Sequence, residues 1–160
     1  MRILVYTLLF SFCILLTSCA DQLDPILEPE SFLIFGTYYG FCQGDCADIF
    51  KLTPDKLFED QSDYLREMND FEFTELSPEQ FNQTKDILNN FPEEQLLREE
   101  ASIIGCPDCA DQGGIYIVYK MGGVEEKSTR VWYIDQSKSA VPNYLHPFID
   151  AVKAKVQALQ

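Results

Sequence analysis

Histidine is almost missing from this chain. His146 is the one imidazole among 160 residues, which excludes metal sites built on paired histidines. Lodged between Leu145 and Pro147, it reads as a surface or capping residue rather than a general base. No serine stands in a nucleophile elbow, so the strand–turn–helix nucleophile of many hydrolases is absent as well. Basic residues are scarce, with 12 Lys and Arg against 26 Asp and Glu and a net charge of −14. Nucleic-acid binders need clustered Lys and Arg, so that class is excluded, as is adhesion to anionic lipid through charge. Long apolar runs are lacking too. The stretch from Ile3 to Leu16 falls short of the roughly 20 residues that cross a bilayer as a helix. No cofactor-binding motif is read, and paired carboxylates among so many acids discriminate nothing. What remains is an acidic chain with enough aromatics (12 Phe, 8 Tyr, 1 Trp) for a folded core. The acidity itself reads as a solvated surface, or as a complement to a basic partner or divalent cations.

The N-terminus is the most specific part. Arg2 precedes the short apolar run, and small residues follow it, the arrangement of a cleaved secretory signal. Leu16-Thr17-Ser18-Cys19 resembles the lipobox of bacterial lipoproteins. That resemblance implies cleavage before Cys19, a diacylglycerol thioether on its sulfur and often acylation of its new amino group. Two or more acyl chains suffice for stable membrane attachment, whereas one is marginal. Residues 1–18 are therefore expected to be a signal peptide and 19–31, acidic with two prolines, a tether. Residues 32–160 then form one domain. Ala20 stands where an Asp would favour the inner membrane, so the resemblance implies the outer membrane and leaves its face open.

Beyond Cys19, and Cys13 within the signal, stand Cys42, Cys46, Cys106 and Cys109. After export an even set of cysteines reads as a disulfide framework. Three connectivities are open. Chain entropy gives a loop of four or five residues about 2 kcal/mol, against about 4 for a span near 65, which favours crossing. Gly44 and Pro107 instead let each cluster double back on itself, and the local pairs Cys42–Cys46 and Cys106–Cys109 are preferred.

Phe32 to Tyr39 and Asp48 to Thr53 read as strands, and Phe71 to Leu76 alternates with period two. Residues 54–70 are the least legible. Ser77-Pro78-Glu79-Gln80 is a helix start with a capping box, carried on by Phe81, Thr84, Leu88 and Phe91 and stopped by Pro92. Ile115 to Met121 and Val131 to Ile134 form a hairpin about Gly122-Gly123. Leu145, Ile149, Val152, Val156 and Leu159 make one stripe of a last helix that starts near Pro147. The fold class is α+β: two layers, an antiparallel sheet of about five strands and two main helices. Asp45-Cys46-Ala47-Asp48 recurs as Asp108-Cys109-Ala110-Asp111, so a duplicated strand–strand–helix unit is one reading and chance the other.

Four constellations could carry chemistry. Cys106-Pro107-Asp108-Cys109 has the spacing of a dithiol oxidoreductase, but Asp108 and Asp111 disfavour a thiolate and no helix follows. The four cysteines could hold zinc if they stayed reduced. Asp45, Asp48, Asp108 and Asp111 could share calcium if the two cysteine turns meet. Tyr38-Tyr39-Gly40-Phe41 beside the first turn suits protein or glycan recognition, unless two of its three aromatics enter the core.

Gly40-Phe41-Cys42-Gln43-Gly44-Asp45-Cys46 and Cys106-Pro107-Asp108-Cys109-Ala110-Asp111-Gln112-Gly113-Gly114 resemble stretches of small, uncharacterised lipoproteins of Gram-negative bacteria. The resemblance implies architecture and no chemistry. The function expected is a lipid-anchored, non-enzymatic envelope module that binds a basic protein or a glycan or supports the envelope. An inhibitor of a basic hydrolase such as lysozyme is one form of it. The alternative is an envelope thiol–disulfide oxidoreductase using Cys106 and Cys109.

Overall fold

Two runs, Phe-Leu-Ile-Phe-Gly-Thr-Tyr at 32–38 and Gly-Ile-Tyr-Ile-Val-Tyr-Lys at 114–120, are apolar at nearly consecutive positions. A strand of that kind must be covered on both faces. The computed structural model describes residues 27–123 and 129–160 and sets these runs side by side in the middle of a seven-stranded sheet. Leu16-Thr17-Ser18-Cys19, the tether up to residue 26 and the hairpin connection 124–128 lie outside the described residues.

The strands are β1 (Phe32–Tyr38), β2 (Ala47–Leu52), β3 (Leu57–Asp60), β4 (Phe73–Glu75), β5 (Ile103–Ile104), β6 (Gly114–Lys120) and β7 (Thr129–Asp135). Their spatial order is β4-β3-β2-β1-β6-β7-β5. All neighbours are antiparallel except β5, which runs parallel to β7. The α+β class holds, with β3 and β5 added to the strands read from sequence.

Alternation along each strand sorts side chains between two faces. One face presents Leu33, Phe35, Phe50, Leu52, Ile117, Tyr119, Trp132 and Ile134 to the helical layer. That layer is α1 (Pro78–Thr84), α2 (Glu93–Arg98) and α3 (His146–Leu159). Ser77 caps α1 as its sequence requires: the Ser77 amide donates to Gln80 Oε1 at 3.1 Å and the Gln80 amide to Ser77 Oγ at 3.2 Å. After Thr84 the helix tightens into a 3-10 segment, Lys85–Asn90, which still buries Ile87. Phe91 then packs on Phe148 of α3 and on Tyr119, with ring centroids 5.3 and 5.0 Å apart. Among the described residues no helix is long and apolar enough to cross a membrane.

The other face carries Ile34, Ile49, Tyr116 and Val118, roofed by Leu65, Met68, Phe71 and Phe73. Leu65 and Met68 come from the stretch least legible in sequence, within the connection between β3 and β4, while Phe71 follows that stretch and Phe73 opens β4. Residues 27–31, assigned above to the tether, belong to the packed body. Leu27 is buried in the helix-side core, and Ser31 Oγ accepts from the Gly122 amide at 2.7 Å.

The repeated tetrapeptide marks no repeated unit. Ala47 and Asp48 lie in β2, paired with Tyr38 and Thr37. Asp108 and Asp111 lie in a loop ahead of β6 with positive φ of 61° and 55°. Hairpins β2–β3 and β6–β7 extend to opposite sides of β1 while sharing one helical layer. That relation is mirror-like, and a duplicated chiral unit cannot adopt it.

Candidate functional site

Where β1 ends and β6 begins, Tyr38 pairs with both Ala47 and Gly114, so the connections at residues 39–46 and 105–113 emerge at the same end of the sheet. Both disulfides are local, Cys42–Cys46 and Cys106–Cys109. All four sulfurs are thereby consumed, which removes the zinc reading.

The first turn is held at three points. Besides its disulfide, the Tyr39 amide donates to the Cys46 carbonyl at 2.8 Å, and the Cys46 amide to the Asp63 carbonyl at 2.7 Å. Gly44 has φ of 92° at its tip, a conformation that costs other residues a steric penalty. Cys46 is buried. Of the three aromatics beside this turn only Tyr38 packs inward, edge-on to Tyr133 with centroids 6.1 Å apart. Tyr39 is 42% exposed and Phe41 83%. Tyr64, next to Asp63, adds a third ring at 56%. Large exposed rings on a stiffened loop lose little entropy when they bind.

The second turn is organised by two aspartates. Asp108 Oδ1 accepts from the Gly113 amide at 3.0 Å. Asp135, at the end of β7 and 2% exposed, accepts from the Cys106 amide at 3.1 Å, Gln112 Nε2 at 3.2 Å and the Ser137 amide at 2.7 Å. Gly40 brings the two turns together, since a Cβ there would overlap the Asp108 carboxylate. Tyr38 feels the same junction: burial first, then Asp108 and Tyr133, push its phenol up to about 12.

Beside the first turn lies a hollow of about 180 Å³ lined by Asp45, Asp48, Glu59, Ser62 and Asp63 among others. Burial, then Asp48 and Asp63, raise the pKa of Asp45. Burial, then Asp48 and Asp45, raise that of Glu59. The four aspartates considered for calcium therefore divide: Asp45 and Asp48 face this hollow, Asp108 braces Gly40 and Gly113, and Asp111 is exposed in the second turn. Among the described residues no three His, Cys, Asp or Glu side chains converge as metal ligands.

Compared with protein-family models, curated proteins and solved structures, the chain matches none. Its chemistry rests on its own geometry.

That geometry gives the Cys106–Cys109 pair little of what a redox centre uses. Reactive thiolates sit at helix N-termini or beside cations. Here Cys106 is followed by a loop and β6, with Asp108 between the two cysteines in sequence and the Asp135 carboxylate on the Cys106 amide. His146 Nε2 donates to the Lys138 carbonyl at 2.8 Å. Asp135, Glu59, Asp63 and Tyr64 are absent from the sequence reading of the site. Asp135 offered one signal: an acid closing the apolar run from Val131 to Ile134.

Proposed function

We propose that this chain is a lipid-anchored envelope lipoprotein, tethered through Cys19, whose disulfide-stiffened end binds a cationic protein. The single observation that carries the binding half is Phe41, 83% exposed on a turn fixed by the Cys42–Cys46 disulfide. An aromatic of that size left bare on a rigid loop is an anchor awaiting a pocket. The acidic hollow beside it supplies charge that steers a basic surface and sets its orientation. The anchoring half rests on the lipobox-like Leu16-Thr17-Ser18-Cys19, and the outer membrane on Ala20.

Lysozyme, a basic hydrolase, is a suitable test partner. The purified protein is expected to bind it with an affinity that falls as salt rises, and Phe41→Ser is expected to weaken binding by about tenfold or more, the scale of an interface anchor. Equal binding by wild type and Phe41→Ser would remove the assignment. Mass spectrometry of the N-terminal peptide tests the anchor separately: the expected species begins at an acylated Cys19, and a free Cys19 thiol overturns it. The oxidoreductase reading has less support; it requires Cys106–Cys109 to open under mild reductant and to exchange with a substrate thiol.

A further inference from the structure

At the far end of the sheet, on the face away from the helices, three adjacent strands bring two lysines together. Lys51 of β2 stands opposite Ile34 of β1, and Lys120 of β6 opposite Phe32. They flank β1 on the same face and border a cleft of about 500 Å³ walled by Phe71 and Phe73. Both ammonium groups approach the Phe32 ring, Lys51 Nζ at 4.7 Å and Lys120 Nζ at 6.0 Å from its centroid, and Phe73 is 5.5 Å from Lys51 Nζ.

The charge at this spot runs against the whole molecule. Acids outnumber bases by 26 to 12, yet among the described residues neither lysine forms an ion pair with a carboxylate, although five other basic residues do. Burial, then the charge of Lys120, lowers the pKa of Lys51, so the Lys51 ammonium is held at a cost that aromatic faces offset only in part. The volume falls in the range of small-molecule sites, which pair apolar walls with a few placed polar groups.

We propose that this cleft binds a small organic carboxylate with an apolar body, its anionic head between Lys51 and Lys120 and its body against Phe32, Phe71 and Phe73. The site is independent of the disulfide end and of whatever binds there.

Decanoate, decanol and inorganic phosphate separate the two halves of the claim. By titration calorimetry on the purified protein, decanoate is expected to bind, and decanol and phosphate about tenfold more weakly or less. The K51Q/K120Q double variant is expected to lose decanoate by about tenfold, with its circular dichroism and thermal midpoint unchanged. K51R/K120R is expected to retain it. Absence of decanoate binding at millimolar concentration overturns the proposal, as does binding undiminished in K51Q/K120Q. Decanol bound as tightly as decanoate overturns the anionic head, and phosphate bound as tightly overturns the apolar body. Should K51Q/K120Q fold poorly, K120Q alone serves the same comparison.

Discussion

Asp135 holds a loop in place that has no core of its own. Its carboxylate is 2% exposed and gathers the amides of Cys106 and Ser137 and the side chain of Gln112. Truncating an acceptor leaves buried donors unpaired, which costs more than the net gain of the bonds themselves. Asp135→Ala is therefore expected to lower stability by about 3 kcal/mol, measured by urea unfolding, and to speed proteolysis between residues 105 and 113. Glu59 is expected to behave in the opposite sense. Burial beside Asp48 and Asp45 raises its pKa in the fold. A carboxyl with a raised folded pKa stabilises fully only below its unfolded value, and that contribution disappears as pH rises through the folded one. Glu59→Gln is thus expected to raise Tm at neutral pH and to leave it unchanged below pH about 4, which calorimetry at the two pH values checks.

Elements divide into those that build the core and those that decorate its end. Neither disulfide joins two elements of the sheet; each closes a turn of three or four residues' separation. Chain entropy assigns such a loop about 2 kcal/mol, while the core is made by the sheet and the helical layer. Cys106→Ser/Cys109→Ser is accordingly expected to unfold about 2 kcal/mol more easily in urea with its near-ultraviolet circular dichroism largely kept. The same division explains what the sequence showed and hid. The capping box at Ser77, the stripe of α3 and the apolar run of β6 were legible because each is a local pattern with one period. β3 has four residues and β5 two, too short for alternation to register. Phe148 escaped because it lies beside the stripe rather than on it, though it is fully buried. Of the roof, Phe71 and Phe73 showed in the sequence as part of an alternating strand, whereas Leu65 and Met68 were illegible because their spacing is set by where they land on the sheet. For the same reason, the Lys51–Lys120 cleft was out of reach: only the register of β1 against both neighbours joins residues so far apart in sequence. At the disulfide end the local turns were legible, but Asp63 and Asp135 reach them from other elements.

At the scale of the whole molecule, the fold withholds tyrosine protons from water. Burial is the chief cause in each case. Tyr38 is pushed up to about 12, and Tyr116, Tyr119 and Tyr144 are pushed further above the ordinary 10. Two of these phenols also hold elements together: Tyr119 of β6 donates to Glu93 of α2 at 3.0 Å, and Tyr144, ahead of α3, to Glu99 at the end of α2 at 2.6 Å. Ionising either would set a phenolate against a carboxylate. A phenol with a raised folded pKa gives its full stabilisation below the unfolded value and loses it as pH climbs through the folded one. Each such group removes up to about 1.4 kcal/mol per pH unit across that window. Lys51 works the other way, since its folded pKa is lowered; its opposing gain ends at the ordinary value near 10.5. Stability is therefore expected to fall from pH about 10 and most steeply above about 10.5. Tyrosinate absorbance from these four phenols should appear together with loss of circular dichroism. Tyr119→Phe sharpens the test, because it removes both a titrating proton and a bond to Glu93. It is expected to be less stable at pH 7 by about 1 kcal/mol yet to lose stability above pH 10.5 more gently, by about 1.4 kcal/mol per pH unit. The wild-type and variant curves then converge as pH rises, and urea unfolding across that range measures the convergence. Parallel curves would mean that the proton on Tyr119 plays no part in the alkaline limit of the fold.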